Sequence, residues 1–398
     1  MGLIRPALLD RPVLTFQRLF LLSPELRDAT GHQREYVSLL HATATGRGLE
    51  SRIVTPPGGH RVMPDMAVDE RLPILQAPGP ANGFIARARR KTSSAVQARQ
   101  RLLAYRNLFA DSRPHDLNFL HTASFPEMGI VLKAWPGKTA GHLAVTLRSD
   151  HDDNPARKVQ IRKALAGATK SGVTLMADTL ELVQALGPLA PRTVHEIPPP
   201  WSGSTPDTAR VPGRIGVFGA RRRHKGYLKL PGLIQAARRH DPDLSFVVHG
   251  YPHRELRDDP ELGRTGQTLR DLGAEVIEEV LSSEAMQAQV AACAAVLLPY
   301  DKNVYRYGSS GMFVLAVASG CGVVVPAGTW MEAEARREDL SRVHATDIDD
   351  AEATAHALSR AAAIGSATFV ASKAEAAWTD RHTPLGLLER LLDVAARD

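Results

Sequence analysis

Apolar positions along this chain fall into two rhythms. Short stretches carrying apolar residues occur at 18–22, 51–55, 116–121, 143–147, 173–177 and 193–197, the length expected of strands. Between the first two runs, residues 33–45 carry apolar and small side chains at helical spacing, opened by Gly31-His32 and closed by Gly46-Arg47-Gly48. Strand, helix, strand in that order predicts a parallel sheet. A second series follows, with strands expected at 214–218, 245–249, 275–280 and 296–299 and helices at 230–239, 265–272 and 283–291. Residues 296–326 compress the motif most tightly. An apolar strand meets a polar loop ending Gly308-Ser309-Ser310-Gly311, a small-residue helix covers 312–319, Gly320 stops it, and 322–325 is strand again. Such a turn puts glycines where a helix N-terminus meets a strand's carboxyl end, a common seat for phosphate.

Between the two series lies Pro198-Pro199-Pro200-Trp201-Ser202-Gly203-Ser204, helix-hostile sequence suited to a linker. The pattern therefore predicts an α/β protein of two Rossmann-like domains facing a cleft. The first is expected over 1–200, a hinge over 201–212 and the second domain over 213–380. An amphipathic helix in 381–398 would pack on either half, including back on the first domain. Residues 56–84, rich in proline and glycine, read as loop.

Size and composition agree with this picture. At 398 residues the chain exceeds one ordinary core. Hydrophobic content of 43% with 23% charge is that of a globular protein. Aromatics make up 5%, which argues against a base-stacking surface and hence against nucleic acid. Net charge is +6, which suits an anionic partner or a solvated surface equally. No apolar run approaches the ~20 residues of a membrane span, and the start is too short and proline-broken for a signal peptide. Cys293 and Cys321 lack metal-ligand spacing and read as reduced core thiols. A cytoplasmic protein is expected, touching the inner face of the membrane at most.

Candidate chemistry concentrates at strand ends. In RIGVFGARRRHKGYLKL, a strand ends at Gly219, and Arg221, Arg222, Arg223 and Lys225-Gly226 follow. Cations beside a glycine turn either bind a diphosphate or form a solvated basic loop. The pattern is neither G-x-G-x-x-G nor a Walker loop. Ser309, Ser310 and the Gly311 amide offer donors at a helix N-terminus, while Ser310 equally suits an N-cap. Tyr305 and Tyr307 fall in the same loop. Asp301 suits a sugar hydroxyl or a turn. His121, at a strand end, is either a cleft group or a hydrogen-bonded structural histidine. Acids in Arg148-Ser149-Asp150-His151-Asp152-Asp153 read as a solvated loop or an acceptor contact, with no metal expected. No acid occurs between Arg71 and Arg106, whereas Arg87, Arg89, Arg90, Lys91, Arg99, Arg101 and Arg106 accumulate. That stretch reads as a solvated helix face, a grip on an acceptor phosphate or a contact with an anionic membrane.

Residues 213–335 resemble the nucleotide-binding domain of GT-B glycosyltransferases, particularly the family-four type. Gly219 and Lys225-Gly226 match that family's glycine and Lys-Gly. Pro299, Gly308, Gly311, Gly320 and Val323-Val324-Val325 fit its later frame. The first half matches only in outline, through Gly31 and the helix behind it. The family's two glutamates fall on Tyr307 and Leu315, and a leucine cannot accept a ribose hydroxyl. The family arginine falls on Ala220, with Arg221 or Arg222 beside it.

The resemblance implies transfer of a sugar, with retention, from a nucleotide-diphosphate sugar to a glycan, lipid-linked or other acceptor. It implies no metal and no cofactor beyond the donor. His121, Lys225 and Arg221 are the catalytic candidates. Gly31, Gly219, Arg222, Lys225, Tyr305, Tyr307, Ser309, Ser310 and Gly311 are the donor-binding candidates. A role in polysaccharide synthesis follows by analogy. The lost glutamates favour a rival, a non-catalytic binding or scaffold protein on the same fold, and a sugar-nucleotide epimerase is a third reading.

Overall fold

A computed structural model describes residues 16–26, 32–72, 84–122, 124–148, 154–201, 208–251, 259–366 and 370–398, with side chains 32 and 84–94 excepted. Gly31 and residues 202–207 lie outside the described residues. So do residues 149–153 of the acidic loop and the side chains of Arg87, Arg89, Arg90 and Lys91.

The first sheet comprises β1 (Arg18–Leu22), β2 (Glu50–Val54), β3 (Val68–Asp69), β4 (Asp116–Leu120), β5 (His142–Leu147), β6 (Val173–Ala177) and β7 (Val194–Glu196). Their spatial order is β3-β2-β1-β4-β5-β6-β7, and every neighbouring pair is parallel. The second sheet comprises β8 (Val211–Val217), β9 (Ser245–His249), β10 (Glu275–Ile277), β11 (Cys293–Leu297), β12 (Gly322–Pro326) and β13 (Val343–Thr346). It runs β10-β9-β8-β11-β12-β13, again parallel throughout. In each sheet the order reverses beside its first strand, between β1 and β4 and between β8 and β11. Those are the two topological switch points, where the crevices of such sheets open.

Alternation along the strands explains the layering. In β1, Phe20 and Leu22 enter one core while Leu19 and Leu21 enter another on the opposite face. In β9, Phe246 and Val248 face one core and Val247 the other. Both faces of both sheets are thus covered, as continuous apolar strands in parallel sheets require. Cys293 and Cys321 are buried free thiols in the second lobe, and burial pushes them up to about 12 and about 11.

The structure differs from the sequence reading in places. Residues 56–84 contain a short helix, Gly59–Val62, and the edge strand β3. Strand β11 begins at Cys293, three residues before the expected run, because Cys293 and the alanines that follow are as buried as the valine and leucine. The edge strand β13 was hidden by its polar residues.

Trp201 is buried in the second lobe's core. His382 holds the linker, its Nδ1 hydrogen-bonded to the Pro199 carbonyl at 2.7 Å while its own carbonyl accepts from Trp201 N at 2.9 Å. The final helix, Pro384–Arg397, lies on the first lobe. Leu387, Leu388, Leu391 and Ala395 join that lobe's core, and Arg47 pairs with Glu389 at 2.5 Å. Among the described residues, no helix is long and apolar enough to cross a membrane.

Candidate functional site between the lobes

The carboxyl ends of the two sheets face one another. Thr179, just after β6, donates its hydroxyl to the Tyr307 carbonyl of the second lobe at 2.7 Å. Ser309 donates to the Asp178 carboxylate, and Arg337 reaches Glu181 at 3.1 Å. Residues 178–181 therefore touch the second lobe at three points.

On the second lobe the switch point is occupied by the loop after β8. Gly219 has φ +130, and a Cβ there would lie 2.7 Å from Lys225 Nζ. Gly226 has φ +70, and a Cβ there would meet the Pro299 carbonyl at 1.8 Å. These two glycines let the loop fold back and set Lys225 over the Tyr300 ring, 5.7 Å from its centre. Burial, and secondarily the charge of Arg222, lowers Lys225 to about 8. No carboxylate of the described residues partners this ammonium.

The other cations of the run are used differently. Arg221 is 3% exposed, pairs with Glu278 and lies over the Tyr227 ring at 5.5 Å. Arg223 bonds Asp259 at 3.0 Å and Glu261 at 2.8 Å. The fold thus supplies carboxylates to Arg221 and Arg223. Arg222 has extended backbone, φ −142 and ψ 146, and precedes the short helical turn Arg223–Lys225. It stays near Lys225 and Tyr305, as their shifts record. The catalytic candidate Arg221 is held by Glu278 and Tyr227 within the second lobe.

The loop after β11 also divides. Tyr305 is buried with its ring tilted against Tyr300, centres 4.4 Å apart, and burial pushes it up to about 12. Tyr307 packs against the first lobe's core. Ser310 caps the helix Gly311–Ala318, accepting from Phe313 N at 3.2 Å. Gly311 is exposed, and a Cβ there would meet nothing within 4 Å, so the start of that helix is accessible. Asp301 caps Lys302–Tyr305 through Asn303 N at 2.8 Å. Leu315 packs on the second lobe's core.

On the first lobe, His121 follows β4 and Ser23 follows β1, at that sheet's switch point. His121 is 1% exposed. Its Nε2 shares a hydrogen bond with Ser23 Oγ at 2.9 Å and its Nδ1 with Thr122 Oγ1 at 3.0 Å. The ring stacks on Tyr36 at 4.9 Å. Arg148, after β5, covers the Tyr36 ring at 4.8 Å, and its charge reaches Asp178. Both ring nitrogens of His121 are thus engaged within the first lobe. Sequence reasoning missed Tyr36 and Asp178. The signal for Asp178 was present, an acid directly behind the apolar run 173–177.

No family model matches the chain, and no curated protein matches it. Solved structures do. The structure of HepE from Anabaena in complex with UDP superposes with a TM-score of 0.65 at 13% identity, covering 96% of this chain and 100% of that one. Sucrose-phosphate synthase from Thermosynechococcus elongatus gives 0.59 at 14% identity, covering 96% and 97%. A trehalose-phosphate synthase from Burkholderia xenovorans, in complex with glucose-6-phosphate, gives 0.63 at 11% identity, covering 95% and 100%.

The chain has the GT-B fold.

Within the GT-B frame the two switch points confront each other. Lys225 and Arg222 stand on one side, and the His121–Tyr36–Arg148–Asp178 array stands on the other. The likeness covers both lobes, including the first, where the sequence matched only in outline.

Proposed function

We propose that this protein is a glycosyltransferase that takes a sugar from a nucleotide-diphosphate donor. The observation that carries this reading is the Lys225 ammonium, partly buried at the switch point without a carboxylate partner among the described residues. A desolvated cation of that kind is stabilised by an anion. Arg222 adds a second charge, and the amides at the start of Gly311–Ala318 add donors. A diphosphate leaving group placed there would be stabilised as the glycosidic bond breaks. The neighbours' titles, naming UDP and sugar-phosphate synthases, support the same class. Retention and metal independence are carried over from the family resemblance. Exposed Val96 and Leu103, with Arg99 and Arg106 beside them, suit an acceptor delivered at an anionic membrane.

Calorimetry with uridine, guanosine and thymidine diphosphates tests the donor site. Binding of at least one is expected, and its loss on Lys225→Ala. Flat traces with all three would remove the reading. A second reading, a non-catalytic GT-B binding protein, is favoured by Leu315 in the core and Tyr307 seated on the first lobe. Diphosphate binding without donor hydrolysis or transfer to any sugar acceptor would select it.

A further inference from the structure

Asp178 ends β6 and is 3% exposed. Its Oδ2 receives the Ser309 hydroxyl from the opposite lobe. Its Oδ1 is buried and has no hydrogen-bond partner among the described residues. Arg148 supplies the nearby positive charge, its Nε also buried and without a partner there. A buried carboxylate oxygen left unsatisfied is costly, and it points to a ligand the site is built to receive.

The chemistry of the seat selects its ligand. A carboxylate repels a diphosphate, and the cations for that group stand on the facing lobe. A carboxylate oxygen accepts from one hydroxyl while the arginine N–H beside it donates to the next oxygen, the pattern that suits a sugar or other neutral polyol. One hydroxyl already sits there, and it belongs to the protein.

We propose that Asp178 binds hydroxyls of the sugar acceptor through both carboxylate oxygens, Oδ1 directly and Oδ2 once the acceptor displaces the Ser309 hydroxyl. The proposal rests on the glycosyltransferase reading above and names its acceptor class. Ser309 lies two residues before the helix Gly311–Ala318, so acceptor arrival would release the loop that borders the diphosphate seat. If the bond were merely a clasp between lobes, deleting either partner would shift sugar binding in the same direction. If the two hydroxyls compete, the deletions act in opposite directions.

The test is titration of UDP-saturated protein with glucose, mannose and galactose, followed by ligand-observed NMR, with UDP-glucose affinity measured alongside. Asp178→Asn is expected to weaken sugar binding ~10-fold. Ser309→Ala is expected to tighten it several-fold, and it keeps the idea testable if the aspartate variant folds poorly. In Asp178→Asn, UDP-glucose affinity is expected to change less than sugar affinity. Shifts of the same sign, no shift in either, or no binding of any of the three sugars overturns the proposal. Equal weakening of UDP-glucose by Asp178→Asn overturns it in favour of a donor-sugar contact. Absence of UDP binding by the unaltered protein is a different result, which removes the donor reading and the acceptor seat with it.

Discussion

Lys225 lies 5.7 Å from the centre of the Tyr300 ring, which joins the loop after β8 to the end of β11 in one cationic seat. The ammonium is lowered to about 8 by burial and by Arg222. Nucleoside diphosphate affinity should therefore be flat below about pH 7 and fall as pH rises through 8, since only the charged lysine attracts phosphate. Calorimetry from pH 6.5 to 9.5 checks this. Lys225→Ala should weaken binding ~10- to 100-fold at pH 7 and remove the fall.

The same lysine should act against stability. Its value of about 8 lies below the roughly 10.4 of an unfolded chain. Between those values the unfolded state holds more protons, so Lys225 contributes stability that grows as pH rises through the window. At pH 7 the full penalty is present. Lys225→Met is thus expected to raise the melting temperature by a few degrees at pH 7, and the gain should shrink toward pH 10. Differential scanning fluorimetry at both ends decides it.

Gly226 tolerates no side chain. Its φ is +70, and a Cβ would meet the Pro299 carbonyl at 1.8 Å. Gly226→Ala is expected to destabilise the protein by ~2 kcal/mol or more and to displace Lys225, lowering diphosphate affinity. Gly232→Ala, on the helix Leu230–His240 where nothing lies within 4 Å, is the control and should be neutral or slightly stabilising.

Arg221 should separate stability from binding. Its guanidinium is committed to Glu278 and Tyr227, while Arg270 also reaches Glu278 at 2.9 Å. Arg221→Met should lower stability by ~1–3 kcal/mol in urea unfolding. Diphosphate affinity of the folded fraction should change less than it does for Lys225→Ala.

Acid should loosen the molecule before its carboxylates protonate. Burial holds His142 and His382 at about 4, below the roughly 6.5 of an unfolded chain. Between those values the unfolded state binds more protons, so their contribution is intact above pH 6.5 and is lost as pH falls toward 4. His382→Gln should reduce the slope of melting temperature against pH in that window.

The sheets were legible because parallel strands covered on both faces carry mostly apolar residues, as in 173–177 and 245–249. β3 and β13 were not, since edge strands tolerate polar residues such as Asp69 and His344. Lys225-Gly226 could be read because adjacency in sequence becomes adjacency in the turn. The fates of Arg221 and Arg223 could not, because their partners Glu278, Asp259 and Glu261 lie far along the chain and come near only through the fold. Tyr36, Arg148 and Asp178 come from three separate elements, and their stacking exists only once the sheet has set its strand order. Leu315 packs against the second lobe's core, a contact that needed the helix to be oriented.

The polypeptide passes between the lobes twice, once through Pro199 and Trp201 and once on the way from Trp378 to Leu387, with His382 bonded to the first crossing. A protease that nicks the linker therefore cannot part the halves. The distal fragment would carry Leu387, Leu388 and Leu391 still embedded in the proximal one, and the pair would migrate as a single particle until denaturant pulled that tail free.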